Sequence, residues 1–182
     1  MNLKTQRLTL KELTMDDLEA LHEILSDPES MKHYPEPFSL DKTKKWIQWN
    51  MENYITYGYG LWAVILKDEN RLIGDCGITM QPINGTIKPE LGYHIHKAYA
   101  GRGYASEAAM ACRNYGFDVL KFEEIYSYQK YTNIASQRVA EKVGMNRVME
   151  YNDEKNKITT VYGITLETYL TLKVEQNIYY DD

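Results

Sequence analysis

A chain of 182 residues with 43% hydrophobic and 26% charged side chains is long enough to bury one core and too evenly mixed to be disordered or fibrous. Its 26 acidic residues outnumber 21 basic ones and leave a net charge of -5, which argues against a broad nucleic-acid-binding face, so an anionic ligand has to be held locally. No run approaches the roughly 20 apolar residues that span a bilayer, and Met1 to Arg7 lacks the charged-then-apolar order of a leader, so the expectation is a cytoplasmic domain over 1–175 with a tail at 176–182.

Leu8 to Leu13 alternates apolar and polar residues as a half-buried strand does. Thr14, with Asp17 three residues on, opens a helix that carries Leu18, Leu21, Ile24 and Leu25 and ends near Ser26. Three prolines resist regular structure between Asp27 and Leu40 and put that segment on the surface. A second helix is predicted from Asp41 to about Tyr54. Tyr54, Tyr57, Tyr59 and Trp62 then form an aromatic cluster that suits either a cleft lining or core packing.

Strands are expected at 61–66 and 72–80, joined by the polar turn Lys67-Asp68-Glu69-Asn70, and at 89–96 after the tight turn Asn84-Gly85. A helix from Tyr104 to about Leu120 places Ala105, Ala108, Ala109, Cys112 and Tyr115 on one face. A strand at 124–129, a helix from Asn133 stopped by Gly144, strands at 145–151 and 159–166 around a charged hairpin, and a short helix at 167–174 complete the chain. Cys76 and Cys112 read as buried thiols of a reducing compartment, with a disulfide as the other option; neither has a metal-site spacing.

The most informative stretch is Ala98 to Ala109. A strand ends in Gly101-Arg102-Gly103 and passes directly into a helix beginning Tyr104-Ala105-Ser106-Glu107. Glycines admit backbone conformations closed to other residues, and the first amides of a new helix point outward with the positive end of its dipole, which suits phosphate. An ordinary strand-to-helix turn is the alternative. The third glycine of a dinucleotide fingerprint is replaced by Ser106, and the Gly-Lys-Ser/Thr of a phosphate-loop NTPase is absent.

Ala100-Gly101-Arg102-Gly103-Tyr104-Ala105 resembles the acyl-CoA pyrophosphate loop, Gln/Arg-x-x-Gly-x-Gly/Ala, of the GNAT family of N-acetyltransferases. Ala100 stands where the family usually has Gln or Arg, which removes a side-chain contact and leaves the backbone cradle intact. The element order is similar to the family's over nearly the whole chain. Four features resemble the Rim-type branch, which modifies ribosomal-protein N-termini: Thr5-Gln6-Arg7-Leu8-Thr9-Leu10, Glu90-Leu91-Gly92-Tyr93, Gly101 to Ala108, and Asn133-Ile134-Ala135-Ser136 with Lys142-Val143-Gly144-Met145.

The resemblance implies an α+β, three-layer fold: a mixed, mostly antiparallel sheet of about seven strands, helices on both faces, and a splayed strand pair that holds CoA. It implies acetyl-CoA as co-substrate, with no metal, no nucleic acid and no membrane, and an amine acceptor. Ribosomal-protein or peptide N-termini and small amines such as polyamines or antibiotics are the candidate acceptors. The oligomeric state is not specified. The backbone of Ile95 and His96 would pair with pantetheine; the amides of Gly101, Arg102, Gly103, Tyr104, Ala105 and Ser106 would hold the pyrophosphate, with Arg102 adding charge; and Asn133 would lie against the cofactor, with a plain helix N-cap as its alternative.

Acetyl transfer needs a neutral amine, hence a base. Glu90 lies near the family's usual glutamate, and a partly buried carboxylate can have its pKa raised toward neutrality. His94 is the other candidate. The tyrosine acid of many family members is missing, since Ala140 stands there and Met145 replaces the Phe of the closing Gly-Phe pair, and Ser136 is the substitute; a first-turn helix serine is its structural alternative. The missing tyrosine and Ala100 leave a second class open, a non-catalytic acyl-CoA-binding module.

Overall fold

In a computed structural model, which describes residues 2–178 and side chains through residue 175, the predicted periodicities become eight strands and five helices among the described residues. The chain falls into two units, Met1–Thr79 with Leu91–Cys112, and Met80–Glu90 with Arg113–Asp182. No helix among the described residues is long and apolar enough to cross a membrane.

The first unit begins with β1 (Asn2–Lys4) and β2 (Leu8–Glu12), an antiparallel pair with Leu3 opposite Leu10. β1 was not among the predicted strands, and it raises the count from about seven to eight: three residues are too few to show an alternation. The capping expectation is met by the Thr14 N–H, which donates to Asp17 Oδ2 at 2.9 Å, while Lys11 Nζ sits 2.8 Å from Asp17 Oδ1. A single 3-10 turn at Met15–Asp17 then leads into α1 (Leu18–Leu25). α2 (Leu40–Tyr57) is capped by Ser39, whose side chain accepts from the Lys42 amide, and runs one turn past its expected end, to a left-handed Gly58.

Between α1 and α2 the Pro-rich segment is irregular, as its composition dictates, but it is anchored. Met31 and Phe38 are buried with Leu13, Leu21, Ile24, Leu25 and Ile47 in the core of this unit. β3 (Leu61–Leu66) pairs antiparallel with β2 and with β4 (Arg71–Ile83). The second half of β5 (Thr86–Ile95) and the first half of α3 (Tyr104–Asp118) complete the unit. The sulfurs of Cys76 and Cys112 lie 3.6 Å apart, both fully buried, with no disulfide between them.

In the second unit, Asn84 and Gly85 both take positive φ, 46° and 79°, the geometry of a tight hairpin turn between β4 and β5. β5 pairs in parallel with β6 (Glu124–Lys130), Glu90 opposite Tyr126. β6 pairs antiparallel with β8 (Lys157–Thr165), and β8 with β7 (Asn146–Asp153). α4 (Ile134–Lys142) ends at Gly144, whose φ is 84°. α5 (Leu166–Ile178) takes in the first three residues of the expected tail, and residues 179–182 lie outside the described residues. Along β6, Ile125, Ser127 and Gln129 are buried, while Tyr126 and Tyr128 alternate onto the other face.

Candidate functional site

In the first unit, Gly101 and Gly103 both lie in the left-handed region, at φ 76° and 83°. The first bond of α3 runs from the Glu107 N–H to the Gly103 carbonyl at 3.0 Å. The amides of Tyr104, Ala105 and Ser106 therefore precede the helix's own ladder. A fifteen-residue helix opened by these amides presents its positive dipole end at the turn.

Side chains from the connection between β1 and β2 fix this turn. The Glu107 carboxylate accepts from Thr5 Oγ1 (2.6 Å), from the Arg7 N–H (2.8 Å) and from Arg7 Nε (2.6 Å). Arg7 also donates through Nη1 to the Arg102 carbonyl at 3.0 Å, and its guanidinium lies 4.4 Å above the Tyr104 ring. Burial pushes the Glu107 carboxyl up, but the bonds from Thr5 and Arg7 outweigh it and hold its pKa below the usual glutamate range. A Cβ on Gly103 would sit 3.4 Å from Arg7 Nη2, so the turn closes against the clamp. Arg102 itself is exposed, with its guanidinium 5.7 Å from the Tyr99 ring. The Thr5-Gln6-Arg7 and Ser106-Glu107-Ala108 motifs are thus two halves of one device.

The strand ahead of the turn divides its backbone between two directions. The His96 N–H donates to the Ile73 carbonyl at 2.8 Å, and a Cβ on Gly74 would collide with the His94 carbonyl, so both histidines aim their backbone at β4. By strand alternation, Ile95 turns its N–H and C=O the other way. The His96 N–H is therefore engaged by β4, and of the two expected residues Ile95 is the one whose backbone turns away from that strand. His96 also accepts from the Tyr99 N–H at 2.9 Å, and its Nδ1 accepts from the Ala98 N–H at 3.1 Å, which makes it the cap of a short turn.

His94 has different company. Its Nδ1 lies 2.6 Å from Oδ1 of Asp75, which is fully buried on β4, and Trp46 Nε1 donates to the other carboxylate oxygen at 2.9 Å. Its Nε2 lies 2.6 Å from the hydroxyl of Tyr34, which is 36% exposed. The Tyr34 and Trp46 rings pack on the imidazole at 5.2 and 6.1 Å, and Phe38 and Trp49 pack on Trp46 at 5.7 and 5.2 Å. This is the aromatic cluster beside the candidate base. In the expected one, Trp62 is buried and the Tyr54 hydroxyl is bound to backbone, accepting from Leu13 N and donating to the Leu61 carbonyl.

The segment carrying Tyr34 is held at its start. Asp27 accepts from the Ser30 hydroxyl at 2.6 Å and from the Ser30 N–H at 2.8 Å. Ser30 Oγ accepts from the Lys97 N–H at 3.1 Å, and the Lys97 side chain reaches Glu29 at 3.1 Å. Asp75, Trp46 and Tyr34 carried no motif in the sequence. A lone aspartate inside an apolar strand, Ile73-Gly74-Asp75-Cys76-Gly77-Ile78, was the signal available for one of them, because a buried carboxylate needs a partner.

In the second unit, Glu90 is half-buried on β5. Tyr128 is pushed up first by burial and then by the Glu90 charge, so the two side chains feel each other across β5 and β6. Lys88 is 2.7 Å from Glu124 and 3.1 Å from the Tyr126 hydroxyl, a closed set in which the Lys88 bond holds Glu124 below the ordinary carboxylate range. Asn133 is the N-cap of α4, its Oδ1 accepting from the Ser136 N–H at 3.2 Å. The Ser136 hydroxyl donates to Gln129 Oε1 at 3.3 Å. Among the described residues, no group of three or more metal-ligating side chains comes together.

The comparisons with known proteins agree with this geometry. Residues 7–146 match the family model described as an acetyltransferase (GNAT) domain. The Bacillus subtilis protein YkkB is 37% identical over 145 residues, which cover 79% of this chain and 84% of that protein. The crystal structure of a GNAT-family acetyltransferase from Bacillus anthracis superposes with a TM-score of 0.78 at 32% identity, covering 92% of this chain and 99% of that one. The ribosomal L7/L12 α-N-protein acetyltransferase RimL, solved with coenzyme A, shares the fold with a TM-score of 0.75 at 16% identity, covering 92% of this chain and 99% of that one. With the glycine turn, the strand before it and the element order all in place, the chain belongs to the GNAT family, whose members transfer acetyl groups from acetyl-CoA.

Proposed function

We propose that this acetyltransferase acts on the N-terminal amine of a peptide or protein, as a Rim-type enzyme, by direct attack in a ternary complex. The observation that carries the reading is His94, whose Nδ1 is held by a buried carboxylate while its Nε2 faces the exposed side. An imidazole has a reference pKa of about 6.5, an α-amino group about 8 and a lysine-like amine about 10.4, so deprotonating them costs ~2 and ~5 kcal/mol respectively. A histidine base therefore suits an N-terminal amine better than a polyamine. The Thr5–Arg7–Glu107 clamp supports the same branch, because it gives a physical reason for two of its motifs to occur together.

In this reading the amides from Gly101 to Ser106 bind the pyrophosphate and Ile95 pairs with pantetheine through its backbone. His94 takes one proton from the ammonium. The amine lone pair then attacks the thioester carbonyl, the C–N bond forms, the C–S bond breaks, and the second proton of the nitrogen passes to the departing sulfur, so that amide and CoA thiol are the products. A thiol of ordinary pKa near 8.5 is a good leaving group, so a dedicated acid is dispensable, in keeping with Ala140 in the tyrosine position and with Ser136 engaged to Gln129.

Release of CoA thiol from acetyl-CoA, followed with ribosomal-protein N-terminal peptides, polyamines and aminoglycosides side by side, tests the proposal. The expected result is turnover with peptides at a kcat/KM at least tenfold above that with either small amine. Preference for a polyamine or an aminoglycoside assigns the acceptor to small molecules and overturns the peptide reading.

A further inference from the structure

Trp46, Asp75, His94 and Tyr34 form one continuous hydrogen-bonded chain from the core to the surface of the first unit, with links of 2.9, 2.6 and 2.6 Å. Asp75 is fully buried, and the outer end, Tyr34, is 36% exposed. An indole N–H only donates, so Asp75 Oδ2 accepts from Trp46. A buried carboxylate is tolerated where donors satisfy it, and the second donor is His94 Nδ1–H. That fixes the tautomer: Nε2 carries the lone pair, and the Tyr34 hydroxyl donates its proton to it. A phenol oxygen that donates its proton can still accept one.

Resting on the reading of His94 as the base, we infer that His94 is reached through Tyr34, with Asp75 as its positioning residue. The ammonium gives a proton to Tyr34 Oη as the Oη proton passes to His94 Nε2. The tyrosine ends neutral, the imidazole becomes imidazolium, and the charge of Asp75, 2.6 Å from Nδ1, balances it. Asp75 faces the imidazole from β4 and Tyr34 faces it from the Pro-rich segment, while Trp46 packs on it from α2 without a charge. Ser30 and Glu29 tie that segment to Lys97, three residues beyond His94, and so hold Tyr34 over the ring.

Three variants separate the relay from the base. His94→Gln is expected to lower kcat at least a hundredfold. Tyr34→Phe removes one oxygen from a partly exposed side chain, leaves folding intact, and should lower kcat about tenfold or more with KM for acetyl-CoA unchanged. Asp75→Asn should move the acidic limb of the kcat/KM profile to lower pH, because the carboxylate favours the imidazolium; Trp46→Phe, which keeps the Asp75–His94 bond, should move it less.

Nitrogen-15 spectra of the whole protein should show His94 protonated at Nδ1 in the wild type and in Tyr34→Phe. If His94→Gln retains full kcat, the base assignment itself falls. If His94→Gln is crippled while Tyr34→Phe keeps wild-type kcat across the pH range, or the wild type carries its proton on Nε2, the relay is overturned and the base stands.

Discussion

The glycine turn and the Tyr34–His94–Asp75 chain belong to the same unit and follow each other along the sequence, yet they are built on opposite principles. The turn presents backbone: its amides face outward because two residues have positive φ, and side chains enter only as the clamp that holds them, Glu107 taking three bonds from Thr5 and Arg7. The chain presents side chains: each of its members is a different residue type on a different element, and the backbone contributes only spacing. A backbone device tolerates changes in side chain, as Ala100 illustrates, but not in conformation. A side-chain device has the reverse sensitivity.

The sharpest way to break that contrast is Gly103→Val. A Cβ at φ 83° is strained, and it enters the space next to Arg7. Displacing two amides from a phosphate, at about 1.5 kcal/mol each, should weaken CoA binding about a hundredfold by calorimetry while the chain stays folded. Undiminished affinity would mean the pyrophosphate is held elsewhere.

A smaller effect is expected from Glu107→Gln, which keeps the shape of the clamp and removes its charge. With Arg7 39% exposed, solvent screening leaves ~1 kcal/mol, so KM for acetyl-CoA should rise about fivefold with kcat unchanged. The same change has a pH signature. The Glu107 pKa is depressed in the folded chain, so its contribution to stability is complete above the ordinary glutamate value of 4.5 and is lost as pH falls through the folded value. Thermal melts of wild type and variant should therefore differ at pH 6 and converge in acid. A gap that persists at the lowest pH would put the effect down to packing.

The backbone device was legible in the sequence because it is local: two glycines, a helix start and their order in the chain suffice. The side-chain device was not, because its members lie at 34, 46, 75 and 94 and no periodicity connects them. His94 alone was visible, as a titratable residue on the right strand. Element boundaries moved for a similar reason: α2 runs to Tyr57, where Gly58 caps it, and β4 runs to Ile83, where the Asn84-Gly85 turn leads into β5, so cap and turn, not the apolar pattern, decide where they end. Asn133 and Ser136 were found as a motif, and the cap at Asn133 was legible as the plain alternative; the bond from the Ser136 hydroxyl to Gln129 was not, because it joins residues on two different elements.

Those two residues carry the remaining predictions. Ser136→Ala leaves Gln129, which is only 6% exposed, without one donor and should cost ~1 kcal/mol of stability in a urea titration, with kcat within threefold of wild type. A hundredfold fall in kcat would restore the hydroxyl as the acid that protonates the CoA thiolate.

The smallest effect is expected at Asn133. Its Oδ1 accepts the Ser136 N–H at 3.2 Å, near the long end for such a bond, so Asn133→Ala should lower stability by about 0.5–1 kcal/mol and Tm by about 2–3 °C. Asn133→Asp keeps the acceptor and adds a negative charge at the helix N-terminus, where the dipole favours it, and should recover the loss. The two variants part company if the Asn133 amide instead touches acetyl-CoA: an aspartate repels the phosphates, so KM would rise in Asn133→Asp although its Tm is restored. A KM equal to wild type in both variants confines Asn133 to the cap, and leaves cofactor binding to the backbone device of the first unit.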